Sequence, residues 1–348
     1  MLPQRVDPKT APEAELLLHH EFWNARRSEI FPEDPPIPWE ERKMWYRDPP
    51  AHNASRILAI YENDVVVGIA DADWRTDDKE NPDTAWFEVM VAPTHLRRGL
   101  GSRLALALLE EIAPLGRKKL FTSTVSLRSG GKPFAEILGA KFGQEEHTNQ
   151  LLFNEMNHDY VQHSLENAPT ADYELIWYDS DYPDDEAELQ KICAMFEVMN
   201  TAPRGDLEFN DWKATPEKLL RDAANARKNH QQWWLCIAKH KQTGHYAGFT
   251  ETGWHHNRPK IAGQYGTGVD PTHRGHGLGA WLKAAMIERI LRDRPTVDRI
   301  RTGNADSNAP MLKINHSLGF KPYLDRTEWQ LDVQKTLEVL HARVLHTA

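Results

Sequence analysis

Apolar positions along the chain fall into two successive runs with the same order of periodicities. In the first half, Arg56–Tyr61 and Val65–Trp74 read as strands around the turn Glu62-Asn63-Asp64, and Ala85–Val91 as a third strand. Leu100–Ile112 carries its apolar residues at helical spacing, with no breaker before Pro114. A strand at Lys119–Val125, a short helix at Pro133–Leu138 and a strand at Gln150–Asn154 complete the half. The second half predicts strands at Tyr173–Tyr178, Trp233–Lys239, His245–Thr252 and Gly263–Val269. A helix at Leu278–Leu291 follows, stopped before Pro295, then a strand at Arg299–Gly303, a helix at Pro310–Ser317 and a strand at Thr327–Val333. Phe31–Pro38, with four prolines, reads as an irregular loop. Strands alternating with helices predict an α/β layered architecture.

The parallel extends to sequence. Residues 89–101 read VMVAPTHLRRGLG and residues 267–279 read TGVDPTHRGHGLG, an offset of 178; Leu138-Gly139 matches Leu318-Gly319 at an offset of 180. Two landmarks at nearly one spacing indicate a duplicated domain. The expected division is an N-terminal domain at 1–154, a linker at 155–171 ending in Asn167-Ala168-Pro169-Thr170, and a C-terminal domain at 172–348.

Composition narrows the class. A chain of 348 residues suits two domains better than one. A net charge of −9 argues against broad binding to nucleic acid, and no apolar run nears the ~20 residues that span a bilayer. MLPQRVDPKT lacks the apolar stretch of a secretory signal, and Cys193 and Cys236 are the only cysteines. The expectation is a cytoplasmic protein without a disulfide framework.

The strongest chemical signal is the strand–loop–helix unit Val269-Asp270-Pro271-Thr272-His273-Arg274-Gly275-His276-Gly277-Leu278-Gly279-Ala280. Glycines let backbone N–H groups converge and a ligand approach closely, and the helix that follows adds uncapped N–H groups and its positive dipole end. That combination makes a diphosphate site, to which Arg274 adds charge. The spacing is wrong for the dinucleotide fingerprint, and the Gly-Lys-Ser/Thr of a nucleoside-triphosphate loop is absent.

On these residues the chain resembles the GCN5-related N-acetyltransferase (GNAT) superfamily, whose Q/R-x-x-G-x-G/A pattern holds the pyrophosphate of acetyl-CoA. Arg274-Gly275-His276-Gly277-Leu278-Gly279 fits every specified position, whereas Leu96-Arg97-Arg98-Gly99-Leu100-Gly101 has leucine in the leading place. The tandem arrangement is similar to that of the mycothiol synthases. The resemblance implies two tandem GNAT-like domains, each a mixed twisted sheet flanked by helices, packed as an internal pseudo-dimer in a monomer. It also implies a cofactor set of Thr267, Gly268, Val269, Arg274, Gly275, His276, Gly277, Leu278, Gly279, Ala280, Asn304 and Asn308. Asn308 is either a contact to the pantetheine arm or a plain helix cap.

Direct transfer of acetyl to an amine needs a base, since a free amine is protonated near neutral pH. Glu251, beside the cofactor strand, is the candidate catalytic residue; His255 and His256 are its rivals. In the first half, Glu88 lies on the strand where, by the resemblance, some family members keep their base, and it reads there as vestigial or structural. The resemblance implies backbone N–H of Thr267–Val269 as oxyanion donor and a tyrosine as general acid at the position of Asn315; the alternatives are unaided departure of the thiolate, water, or another residue such as Tyr265 or Tyr323. The His255-His256 pair lacks a third ligand, so no metal is expected. The acidic run Asp179–Glu188 reads as a solvated helix start.

The reading is an acetyl-CoA-dependent N-acetyltransferase for a primary amine of a small molecule, with no nucleic-acid or membrane partner. The C-terminal copy is expected to be catalytic. The N-terminal copy, which lacks the leading Arg/Gln and the Asn pair, is expected to be degenerate. A protein or peptide acceptor, or a non-catalytic acyl-CoA-binding module, are the rival readings.

Overall fold

The structure, a computed structural model, describes residues 1–347. The elements in chain order are β1 (Gln4–Val6), α1 (Glu13–Ser28), α2 (Trp39–Arg47), β2 (Asn53–Glu62), β3 (Val65–Arg75), β4 (Thr84–Val91), α3 (Leu100–Ile112), β5 (Lys119–Val125), α4 (Gly131–Ile137) and β6 (Lys141–Leu152). They continue with α5 (His158–Glu166), β7 (Tyr173–Asp179), α6 (Glu186–Phe196), α7 (Pro216–Lys228), β8 (Gln231–His240), β9 (Tyr246–His255) and β10 (Ile261–Val269). The chain ends with α8 (Leu278–Asp293), β11 (Arg299–Ala305), α9 (Ala309–Leu318), β12 (Lys321–Asp332) and α10 (Val333–Thr347). No described helix is long and apolar enough to cross a membrane.

The chain divides into two compact units, one of residues 1–145, 205–210 and 325–348, the other of 146–204 and 211–324. These boundaries differ from those expected at 154/155 and 171/172. The segment expected to be a linker forms α5, and its Met156 and Val161 are buried in the core of the second unit with Leu282, Met286 and Phe320. Sequence contiguity misleads here because the last strand of each half is placed in the other unit's sheet.

In the N-terminal unit, β1 to β4 pair in antiparallel succession. β4 pairs with β5 in parallel over Thr84–Trp86 and Lys119–Phe121 only. Arg326–Asp332 of β12 pair antiparallel with Lys119–Val125 of β5. α3 lays Leu100, Leu104, Leu108, Leu109 and Ile112 on this sheet, with Leu58, Ala70, Ala72 and Leu120 beneath. Burying each such leucine stabilises the fold by about 1.5–3 kcal/mol. α1 packs Leu16 on the opposite face, against Ala59, Val66 and Ile69.

The C-terminal unit repeats the plan. β7, β8, β9 and β10 are antiparallel neighbours. β10 pairs with β11 in parallel over Ile261–Gly263 and Arg299–Arg301 only, and Glu146–Leu152 of β6 close the far edge of β11. α8 is buried on most of its circumference, because the sheet covers one side and α5 the other. α6 and α7 pack on the second face through Ile192, Phe196, Leu219 and Ala223 against Leu235, Ile237 and Phe249. Their starts follow capping rules: Asp185 accepts from the Glu188 N–H at 2.8 Å, and Thr215 from that of Lys218 at 3.2 Å, with Pro216 in the first turn. Asp185 thus supports the reading of the acidic run as a helix start.

Because β12 completes the N-terminal unit's sheet, a fragment of residues 1–154 lacks a strand and bares the edge of β5. This fragment is expected to show no cooperative transition in urea followed by circular dichroism, where the whole chain does. A sharp native-like transition in the fragment would show that β12 is dispensable to that unit.

Candidate active site

The pairing of β10 and β11 ends at Gly263 and Arg301, yet both strands run on, to Val269 and Ala305. They diverge, and the loop 270–277 and α8 begin where the split is open. Across the β9 ladder, β10 carries a register shift between Gln264 and Thr267, placing one irregularity at the split.

The loop has the backbone that an anion cradle requires. Gly275 and Gly277 have φ of +86° and +76°, and a Cβ at either would meet nothing within 4 Å. Their surroundings are therefore open to a ligand, while the left-handed conformation itself favours glycine. Gly277 caps α8 without any side-chain bond, so the first N–H groups of the helix, from Leu278, Gly279 and Ala280, have no side-chain acceptor at the cap. These features fit a diphosphate group. Gly279 serves a different end, since a Cβ there would press on Ile314 of α9 at 3.1 Å. The loop is braced from below. Arg274 donates from Nε to the Val269 carbonyl (3.1 Å) and from a terminal nitrogen to Thr201 Oγ1 (2.8 Å). Asp270 Oδ1 accepts from the Thr272 N–H (2.8 Å), and His273 is held by the Tyr173 hydroxyl (2.9 Å) and stacks on His245. His276 lies near the same tyrosine.

The N-terminal unit builds the same loop from other residues. Gly99 has φ of +75°, like Gly277, and Arg97 takes φ of +60° where the other loop has Gly275. Leu96 cannot brace the loop; instead Arg26 of α1 donates to the Val91 carbonyl at 3.2 Å. This substitute comes from a helix distant in sequence.

Glu251 lies on β9 opposite Leu235 of β8. It shares a sheet face with Phe249, which packs on Phe196. Burial pushes its carboxyl up to about 7, and Tyr182 and Tyr265 are the ionisable neighbours that feel its charge. Tyr265 stands at the bulge, 60% exposed, with its ring against Gly253 and Gly263. His255, expected in a loop, is the buried last residue of β9. Its Nε2 donates to the Asn229 carbonyl at 2.9 Å, and its Nδ1 accepts from the Asn257 N–H at 3.1 Å. Both nitrogens are engaged, which removes it as a base. His256 stacks on it from outside.

Asn308 opens α9 with no side-chain cap bond, so the plain cap role is not what its amide does. Asn304 instead accepts at Oδ1 from the Asn315 amide at 2.7 Å, and Asn315 is fully buried. Arg301 lies over the Tyr323 ring at 4.5 Å.

Two features had no signal in the linear sequence. One is Lys283 of α8, buried beneath the bulge. Its Nζ donates to Gln264 Oε1 at 2.5 Å; Gln264 Nε2 donates to Thr250 Oγ1 at 2.7 Å, which meets Thr267 Oγ1 at 2.8 Å. Burial lowers this amine to about 7. The other is a cavity of about 370 Å³ in the N-terminal unit, where β4 and β5 diverge; Asp71, Asp73, Glu88, Arg128 and Arg326 line it. Strand alternation places charged residues on β3 in ordinary positions, so only the tertiary fold gathers them.

Two parallel strands that part, with a glycine-cradled helix start at the split, define a fold that grips a phosphate-bearing ligand along an open sheet. The chain belongs to the acetyltransferase (GNAT) family, whose model matches residues 21–139 and 190–320. It is 31% identical over 121 residues to a mycothiol acetyltransferase of Salinispora arenicola, covering 33% of this chain and 39% of that relative. It is 32% identical over 123 residues to one of Salinispora tropica, covering 33% and 39%. The matched region thus spans about two-fifths of the length of these curated relatives. In fold, it resembles a tandem GNAT protein from the clavulanic acid biosynthesis pathway (TM-score 0.72, 23% identity, covering 95% of this chain and 98% of that one). It also resembles a GCN5-related N-acetyltransferase from Sphaerobacter thermophilus (TM-score 0.64, 13% identity, 95% of each).

The Lys283 amine has a measurable signature. Unfolding returns it to about 10.4, so between roughly pH 7 and 10 the unfolded chain binds the proton more tightly and stability rises with pH. Below about 7 both states hold the proton and the cost of burying the cation is felt in full. The melting temperature of Lys283→Met relative to wild type is therefore expected to be higher at pH 6 than at pH 9.5. A pH-independent difference would mean that the amine keeps its ordinary affinity for protons.

Proposed function

We propose that the chain is an acetyl-CoA-dependent N-acetyltransferase acting on a primary amine of a small molecule, with transfer carried by the C-terminal unit. The observation that carries this reading is the open cradle at Gly275 and Gly277 beside a split strand pair, with a desolvated carboxylate, Glu251, on the adjoining strand. The name of the curated relatives, mycothiol acetyltransferase, supports a small-molecule acceptor.

Acetyl-CoA supplies the acetyl group as an activated thioester. Gly275–Ala280 offer N–H groups to its diphosphate, and Arg274 keeps the loop in shape while adding positive charge. Asn308, whose amide makes no cap bond, is left to hydrogen-bond the amide-bearing arm in this reading. Past the last paired residue, β10 has no β11 partner, so N–H groups of Thr267–Val269 that turn away from β9 face the split and can stabilise developing negative charge on oxygen. Glu251, with its carboxyl near neutrality, accepts a proton from the acceptor ammonium, directly or through water. Asn315 donates to Asn304 and has no acidic proton to give. The hydroxyl of Tyr265, exposed at the bulge, is the candidate to protonate the leaving group.

Glu251→Gln keeps shape and removes basicity. Turnover with acetyl-CoA and an amine panel is expected to fall about 10²–10⁴-fold. Wild-type kcat should rise through about pH 7 as the carboxyl ionises, and the variant should lose that inflection. Wild-type turnover in the variant would sink the assignment.

The two loops are compared with Gly99→Ala and Gly277→Ala, chosen because a Cβ at either site touches nothing else in the protein and the two sites share nearly the same left-handed φ, so backbone strain is matched between them. Calorimetry with acetyl-CoA and turnover are both measured, with folding checked by circular dichroism. Gly277→Ala is expected to lower turnover and acetyl-CoA affinity about tenfold or more, and Gly99→Ala to leave most of both. The reverse result would move transfer to the N-terminal unit, and equal losses would imply two working sites.

A further inference from the structure

The cavity of the N-terminal unit is not explained by transfer in the other unit. We propose that it binds a small zwitterion, its ammonium group against β3 and β4 and its carboxylate against the end of β5 and β12.

The acidic wall follows from register. Asp71 is directly opposite Glu88, and Asp73 opposite Trp86, so the three carboxylates stand on one face of adjacent antiparallel strands. Asp71 is half-buried, while Asp73 and Glu88 are exposed to water, and all three line the cavity. None of the three accepts a hydrogen bond or makes an ion pair through its side chain among the described residues, and mutual repulsion adds to burial in holding Asp71 well above the usual carboxylate range. Arg128, Arg42 and Arg326 offset part of the charge of Glu88, and Arg42, stacked on Trp23 at 3.9 Å outside the lining, offsets part of that of Asp71.

The basic wall lies across the split. Arg326 is opposite Val125 at the end of β5, and Arg128 follows in the next turn. Arg326 Nε is shielded from solvent and has no hydrogen-bond partner, an orphan donor on a charged group that lines the cavity. Arg128 donates to the Arg26 carbonyl at 2.6 Å and lies 3.6 Å from Glu29, while its Nε also lacks a hydrogen bond. Between the walls run Thr122, Ser123 and Thr124, with Phe87, Phe134 and Leu138 on the apolar side.

A simple cation entering this space meets two arginines, and a simple anion meets three carboxylates. A molecule with both charges satisfies each wall and relieves the repulsion within the acidic one. The inference is independent of which unit transfers acetyl.

The test is titration calorimetry of the whole chain, without acetyl-CoA, using γ-aminobutyrate and its two half-molecules, n-butylamine and butyrate. γ-Aminobutyrate is expected to bind more tightly than either. Asp71→Asn and Arg326→Met should each weaken it about thirtyfold or more, while Glu251→Gln leaves it unchanged. Asp73→Asn serves in place of Asp71→Asn if the latter fails to fold by circular dichroism. Equal binding of butylamine would make this a cation site, and equal binding of butyrate an anion site. Either result overturns the proposal, as does indifference to both wall variants or the absence of heat with all three probes at millimolar concentration.

Discussion

Everything in the site depends on two parallel strands that stop pairing while both are still extended. β10 and β11 share three residues of ladder, as do β4 and β5, and then separate. A strand that loses its partner leaves backbone N–H and C=O groups without acceptors or donors, a state the interior does not tolerate unless something else satisfies them. Ending the split in a helix start adds further N–H groups at the same place. The fold thus creates polar demand along one line, and a long ligand with a diphosphate at one end and amides along its arm matches that demand. The far edges of β5 and β11 are closed by Arg326–Asp332 and Glu146–Leu152, so the separation stays confined to one side of each strand.

Internal comparison shows how one backbone supports different chemistry. Gly68 pairs with Val91 and Gly248 with Val269, which makes Asp71 the counterpart of Glu251. Both are carboxylates whose affinity for protons is raised by burial. In the C-terminal unit the neighbouring positions are Gly253 and the bulge, so Glu251 stands alone beside tyrosines. In the N-terminal unit they are Asp73 and Glu88, so a single carboxylate there becomes a group of three that line the cavity. The bulge also separates the units: β10 has the shift above the Lys283–Gln264–Thr250–Thr267 chain, whereas β4 pairs with β3 without one from Gly68 to Asp73.

The parts of this arrangement written locally were legible in the sequence. The strands and helices around each loop follow from period and breakers, and the loop's glycines do take the left-handed conformation expected of them. What was not legible is what depends on long-range placement. Among the first helices of each unit, α1, α2 and α7 have mixed polar faces that do not stand out in the sequence, and α6 shows there only through its acidic start. α5 read as a linker because its short amphipathic stretch is followed by Asn-Ala-Pro-Thr, yet its buried side chains make it part of a core. Nothing in residues 321–332 marks them as belonging with β5. Leu96 suggested a failed loop, and the repair by Arg26 is visible only when α1 is folded back onto Val91.

The same distinction bears on Asn315. By motif it stands where a tyrosine would protonate the departing thiolate, and the substitution alone suggests a loss of function. In the fold its amide is buried and donates to Asn304, on the very end of β11 beyond its last pairing with β10. An amide bond there fixes the free end of a strand that has no partner on that side. A tyrosine at the position would have to relinquish that hold to reach outward. The residue at this position is therefore a strut in this chain, holding Asn304 at the end of β11. Tyr265 is on the other lip, exposed at the bulge and feeling the charge of Glu251, so both groups proposed to move protons lie on the β9–β10 side of the split. With the β11 side left to hold the ligand's arm, proton transfer on one lip and grip on the other become separable demands, which is how a duplicated fold can change one without losing the other.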